Sequence, residues 1–368
     1  MFGDSGMQLN YSMYLNYSGY SVAAQDYVLA MMRSNPELDI RVNFLNRPDG
    51  LGVSPNRMQL FTGLQKRKNN PRQTNIFHSI PHLYKRPLKS KKHVGFAIFE
   101  TITVPNDWSN YMNSMDSIMT ASEFNKNVFS KSGVERPIQV VPHCFDPELF
   151  NASVKPKGRY AKTTFFSIGT WKKRKNWETL IKAFYDAFES KNNVCLLIKT
   201  DKPQELRSMV ARIKRTCEWR SKHTAPIYAE ESNGCVFEDI PKIMKKGDIF
   251  ISTSMGEGFG LPGLHAMALG MPVITVRFGG TLEYAKPELC TYIEPSGYKD
   301  YMDLDGLPQF RKSIWPVIKI GSVRDAMLEV WNNYPADKAK AAYDHVHKNF
   351  SYEAIGPKFI EALQDDRV

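Results

Sequence analysis

Short apolar runs recur along the chain, each followed by polar residues and then by apolar residues at helical spacing. In the first half the runs are His93–Phe99, Ser117–Ser122 and Pro137–Pro142. In the second half they are Thr164–Gly169, Val194–Ile198, Asp248–Thr253 and Pro272–Val276. Between them, Val22, Ala23, Tyr27, Val28, Ala30 and Met31 share one helical face, and Leu38–Phe44 alternates like a strand. Behind Asn176, which suits a cap, Trp177, Leu180, Ile181, Phe184 and Phe188 make a second apolar stripe. Residues 203–222 and 239–246 also read as helices, as does the tail from Ser322 on. Strand and helix alternate in both halves, which predicts an α/β fold with two parallel sheets. The polar stretch from Asn151 to Gly158, holding Pro156, reads as the linker. It divides the chain into residues 1–155 and 156–349. Residues 45–75 read as a long loop or an inserted flap.

One stretch carries the chemistry. Ser254-Met255-Gly256-Glu257-Gly258-Phe259-Gly260-Leu261-Pro262-Gly263-Leu264-His265 lies between a strand and a helix. A glycine-rich turn there leaves free N–H groups at a helix N-terminus, which suits a phosphate or pyrophosphate. A carboxylate, Glu257, stands in the turn. Three further loops follow strand or helix boundaries: Ser18-Gly19-Tyr20-Ser21, Gly169 to Lys175, and Phe278-Gly279-Gly280-Thr281. Glu100 follows the run His93–Phe99, and ligands of parallel sheets bind beyond the carboxyl ends of strands.

Charge narrows the partner. The net charge is +11, and from Lys66 to Lys92 there are nine Lys or Arg and no Asp or Glu. They are Lys66, Arg67, Lys68, Arg72, Lys85, Arg86, Lys89, Lys91 and Lys92. Such a run is either a solvated face or the mark of an anionic partner. The five cysteines are far apart and fit no metal or redox spacing, so free thiols are expected. No apolar run approaches the ~20 residues of a membrane span. Met1–Gly6 lacks a basic leader and an apolar core, so a cytoplasmic protein is expected, peripheral at a membrane or on nucleic acid at most.

Four motifs in order carry a resemblance: Glu100-Thr101 to Trp108, Val140 to Asp146, Gly169 to Asn176, and Glu257 to His265 with Gly279-Gly280. On these the chain resembles GT-B-fold retaining glycosyltransferases of the family-4 type (glycosyl transferases group 1). The resemblance implies two Rossmann-like domains facing a cleft. The first would bind the acceptor and the second a nucleotide-sugar donor, and the last helix, residues 350–368, would cross back to the first. It implies that Lys175, Arg174 and the amides of Gly258, Phe259, Gly260 and Leu261 stabilise the leaving diphosphate. Glu257 would grip the donor sugar and Glu100 would position the acceptor. Gly19, Gly169, Lys172, His265, Gly280 and Thr281 would complete the donor site. The nucleotide-sugar would be a co-substrate, with no obligatory metal, and the departing phosphate oxygen would take the acceptor proton. Asp303-Leu304-Asp305, which looks like a metal motif of another glycosyltransferase fold, is set aside.

Three positions depart from the family pattern, one of them Glu100, which stands where many relatives carry a histidine. His265 stands where a second glutamate is expected, and an imidazole grips a ribose diol less symmetrically than a carboxylate. Thr170 stands where an arginine is expected. The acceptor stays open between an anionic glycan or glycolipid and a nucleic acid with a hydroxylated base. A non-catalytic protein retaining the fold is the contrasting reading.

Overall fold

The computed structural model describes residues 7–48, 50–70, 73–87, 90–156, 158, 160–216, 223–231, 234–301, 304–306, 308–310 and 313–364. Arg72, Lys89, Cys217, Asp303 and Met1–Gly6, all singled out above, lie outside the described residues.

The first sheet is built from β1 (Gln8–Met13), β2 (Asp39–Phe44), β3 (Thr74–His78), β4 (Lys92–Phe96), β5 (Ser117–Thr120) and β6 (Ile138–Val140). Their spatial order is β2-β1-β3-β4-β5-β6, all parallel. Helices α1 (Gly19–Ser34), α2 (Pro55–Gln65), α3 (Trp108–Asn113) and α4 (Glu123–Lys131) connect them.

The second sheet holds β7 (Thr163–Ile168), β8 (Val194–Lys199), β9 (Ile227–Ala229), β10 (Ile249–Ser252), β11 (Val273–Val276) and β12 (Thr291–Ile293). The order β12-β11-β10-β7-β8-β9 is again parallel throughout. Its helices are α5 (Trp177–Ala187), α6 (Pro203–Arg215), α7 (Ile240–Met244) and α8 (Leu261–Ala268). The strand order reverses between β7 and β10, so the loops leaving these neighbours diverge and open a crevice at their carboxyl ends. Both the Gly169 loop and the glycine turn leave from there.

A short antiparallel pair, β13 (Tyr298–Asp300) with β14 (Ile314–Pro316), stands outside both sheets. Helices α9 (Ile320–Asn332), α10 (Ala336–Phe350) and α11 (Tyr352–Gln364) close the chain. The last returns to the first sheet. Phe359 is fully buried there, its ring 4.8 Å from Tyr27 and 6.2 Å from Tyr11. Arg33 on α1 ties this return to the segment after β6, lying 3.1 Å from Glu353 and 3.3 Å from Asp146.

The expected flap at 45–75 is largely regular. Ser54 accepts from the Arg57 amide, Pro55 suits the first turn, and Phe61 and Leu64 are buried, so α2 forms. The basic helix expected at 203–222 is described only to Arg215. Among the described residues, no helix is long and apolar enough to cross a membrane. Cys144, Cys195, Cys235 and Cys290 are free thiols.

Candidate active site

The glycine turn packs between two other loops. A Cβ on Gly256 would overlap the Glu100 carbonyl oxygen and the Trp315 ring, and one on Gly258 would press on Ile98. A Cβ on Gly280 would overlap the Gly258 carbonyl oxygen. Glycine here allows backbone to meet backbone. Ser122, which caps α4, also donates to the Gly258 carbonyl at 3.1 Å, and the Gly280 amide donates to the Glu257 carbonyl at 2.8 Å. Loop 98–100 of the first sheet therefore rests on the turn of the second. The amides of Gly258, Phe259, Gly260 and Leu261 have no acceptor among the described residues.

Arg174 and Lys175 come from a single tight turn, Lys173–Lys175, ended by Asn176 in the left-handed region at φ 58°. Gly169 has no side chain to obstruct the Lys175 stem, whose Cε and Cδ pass close to it. Lys175 pairs with Glu257. Arg174 donates to the Gly256 carbonyl at 2.9 Å and lies 3.4 Å from Glu257, 3.3 Å from Glu100 and 3.3 Å from Asp305. Three carboxylates thus face two cations in a largely buried space. A narrow cavity lies beneath them, lined by Ile168, Lys175, Ser252, Glu257, Gly260 and Thr281.

Burial and charge split the carboxylates. Burial would raise Glu257, but Lys175 and Arg174 outweigh it and hold Glu257 down to about 2. Burial raises Glu100, Arg174 only partly offsets it, and the neighbouring Glu257 pushes it further up. Burial lowers Lys175 despite Glu257, with Arg174 adding to the fall. Burial works against the Arg174 charge, but Glu257, Glu100 and Asp305 more than compensate. The result is one firmly ionised carboxylate beside two cations and a row of open amides. Such an arrangement stabilises negative charge as it develops on a leaving group.

Other expected residues fall in different places. Gly19 is the exposed first residue of α1, next to Tyr20, whose hydroxyl pairs with the Ile98 amide (3.0 Å) and carbonyl (3.1 Å). Thr281 lines the cavity, and its hydroxyl donates to the Phe278 carbonyl at 3.0 Å. Phe259 offers only backbone, because its side chain is buried 4.9 Å from the His143 ring. Leu261 is buried at the start of α8.

Lys172 does not join the cluster. Its amide bonds the Thr170 carbonyl at 2.8 Å, and the side chain is exposed. His265, expected on the ribose, stacks on Phe150 instead, with ring centres 4.1 Å apart and planes 17° from parallel. It is 4% exposed, and its Nε2 has no partner among the described residues. Burial, with Arg57 nearby, lowers it to about 3, so the ring is neutral and packs as an aromatic. Glu283 accepts from the Glu123 amide at 2.9 Å, as a brace for α4.

The basic run is far from this cluster. Lys66, Arg67 and Lys68 follow α2 and precede β3, and Lys91 and Lys92 lie where β4 begins. Arg67 reaches Asp39 at the start of β2 (3.6 Å), and Arg86 reaches Asp116 just before β5 (2.7 Å). Parallel strands begin at that end and finish at the cleft, a strand of about 16 Å away. The run is close to Glu100 in sequence but lies at the opposite end of the first sheet, because the length of β4 separates them. His78, which lies within the same stretch, is buried in the core.

Sequence reasoning missed Trp315 and gave Asp305 and Tyr20 no role of their own at this site. Asp305 stood out only as part of the Asp303-Leu304-Asp305 triplet, because its partner Arg174 is distant in sequence and no local pattern links the two.

Comparison with known proteins agrees with this fold. Residues 162–299 match the model of the family Glycosyl transferases group 1. Uncharacterized protein 356 of Sulfolobus islandicus rod-shaped virus 1 is 24% identical over 279 residues, 74% of this chain and 76% of that one. A phosphatidylinositol N-acetylglucosaminyltransferase component from Arabidopsis thaliana is 22% identical over 278 residues, 74% of this chain and 59% of that one. Anabaena HepE, solved in complex with UDP and glucose, superposes with a TM-score of 0.66 at 12% identity, covering 97% of this chain and 99% of that one. Residues 162–299 thus match the family Glycosyl transferases group 1, and the two Rossmann-like sheets share the GT-B fold of the solved neighbour.

Proposed function

We propose that the protein transfers a sugar, with retention at the anomeric carbon, from a UDP- or GDP-sugar to an acceptor hydroxyl. The observation that carries this reading is the convergence of Arg174, Lys175 and Glu257 on the open amides at the start of α8. The UDP and glucose of the HepE complex are in keeping with a uridine donor.

The diphosphate lies against Lys175 and the amides of Gly258 to Leu261. Ionised Glu257 accepts hydrogen bonds from the donor's sugar hydroxyls and fixes its orientation. The bond between the anomeric carbon and the distal phosphate oxygen breaks, and its electron pair stays on that oxygen. Arg174, Lys175 and the amides stabilise the charge formed there. The acceptor oxygen bonds to the same face of the carbon, and its proton passes to the departing phosphate oxygen. The products are a glycoside and a nucleoside diphosphate, and the reading needs no metal. Glu100, on the first sheet, faces this point from the acceptor side. An anionic acceptor remains part of the reading, with its charge met remotely: Lys66, Lys68 and Lys91 are exposed at the far end of the first sheet.

A panel of UDP-, GDP-, ADP- and CMP-sugars, scored by thermal shift, tests donor binding. At about 100 times the dissociation constant a ligand adds about 2.7 kcal/mol of stability. A UDP- or GDP-sugar is expected to raise the transition. No shift with any nucleotide would contradict donor binding.

A further inference from the structure

Asp305 is the one member of the carboxylate cluster that no reading of the reaction uses. It comes from the segment between β13 and β14, outside the α/β alternation. The strand that follows it, β14, is held to the cleft from both sides. Trp315 is fully buried, beside Gly256 and 5.2 Å from the Phe310 ring. Thr101, in the first sheet's loop, donates to the Ile314 carbonyl at 2.5 Å.

Asp305 grips Arg174 at two points. Its Oδ1 accepts from the Arg174 main-chain amide at 3.1 Å. Its Oδ2 lies 3.3 Å from the guanidinium Nε, an ionic contact with no proton donated in line. The carboxylate side chain has no solvent exposure. Nη1 and Nη2 are left to face Gly256, Glu257 and Glu100. A guanidinium held at Nε keeps its forked edge in a fixed direction, whereas a free arginine samples many rotamers. Thr170 is exposed, so the cation beside Lys175 is supplied by Arg174 from another part of the loop.

We propose that Asp305 is a positioning residue that aims the Nη edge of Arg174 at the leaving diphosphate. The proposal rests on the donor-transfer reading above. Asp305 stays behind the guanidinium and acts through it.

The test is a double-mutant cycle on the full chain, read as nucleoside diphosphate release. Asp305→Ala is expected to lower kcat about 30-fold while the donor KM stays within about threefold. In an Arg174→Ala background the same change is expected to cost less than about twofold. Asp305→Asn, which keeps an acceptor for the Arg174 amide, is the second variant should Asp305→Ala not fold, and is expected to fall between. Equal losses in both backgrounds, or a raised KM with kcat unchanged, would overturn the proposal. An activity-free readout is the ¹⁵N-arginine Nε–H spectrum, with the Arg174 signal identified by Arg174→Lys. Asp305→Asn is expected to shift that signal alone, and an unmoved signal overturns the grip. A wild type that releases no nucleotide overturns donor transfer and the aim at a diphosphate, and the arginine signal then still decides whether Asp305 holds Arg174.

Discussion

Arg174 Nη2 lies 3.3 Å from Glu100 Oε1, and the two side chains belong to different sheets. The pair therefore spans the cleft. A diphosphate bound at Arg174 is expected to displace Glu100, the carboxylate that comes from the other sheet. Glu100→Gln removes this competitor. It is expected to tighten nucleoside diphosphate binding by about three- to tenfold, up to about 1.4 kcal/mol, while lowering transfer to the acceptor. Burial raises the Glu100 carboxyl above its usual range. Wild-type affinity should therefore rise as pH falls through that ionisation, and Glu100→Gln should lose this dependence. Calorimetry across pH checks both.

Gly280→Ala would drive a methyl group into the Gly258 carbonyl oxygen. Overpacking of this kind costs about 1–3 kcal/mol, and here it also pushes the turn off its register. The expected result is a lower Tm together with lost nucleotide binding. Gly19→Ala is the control, because a Cβ there meets nothing within 4 Å. It should leave Tm nearly unchanged.

His265→Phe tests whether that ring packs or binds ribose. Burial holds both His265 and His143 down to about 3. The unfolded chain takes up these protons near pH 6.5, the folded chain only near 3, so stability falls as pH drops between the two. His265→Phe keeps the stack on Phe150 and removes one proton from the balance. The slope of stability against pH should shrink by up to about 1.4 kcal/mol per unit in that window. Nucleotide affinity at pH 7.5 should stay within about twofold. Denaturant melts at several pH values measure the first, and a loss of affinity would restore the ribose role.

The triple change Lys66→Ala, Lys68→Ala, Lys91→Ala acts at the far end of the first sheet. Donor hydrolysis without acceptor should be unchanged. Transfer onto an anionic carrier should lose much of its salt dependence, because each phosphate-type contact contributes close to one unit of the log–log slope. Initial rates at several salt concentrations check this.

In the second sheet β7, β8, β10 and β11 were readable because they are continuous apolar runs buried on both faces, as in β8 and β10, whereas the three-residue β9 and β12 were not. In the first sheet β1 and β3 were not readable. Their polar residues are paired inside: Asn10 donates to Asn75 at 2.7 Å, and Tyr11 and His78 share a hydrogen bond at 2.8 Å. Such satisfaction depends on partners distant in sequence, so no local period shows it. Glu257 could be named because it stands in a glycine-rich turn, and Lys175 and Arg174 because the family resemblance implied them. Asp305 could not, since its meaning comes from the distant Arg174. The basic run was legible as charge but not as place, because composition does not say which end of a strand a loop occupies.

The central claim is tested most directly by a proton NMR time course on a UDP- or GDP-α-sugar with wild type and with Lys175→Ala and Glu257→Ala. Wild type should release the nucleoside diphosphate, and the first sugar product should carry the α-anomeric signal. Both variants should slow release about 100-fold or more. Release at equal rates in all three proteins, or no release from any donor, would contradict the account.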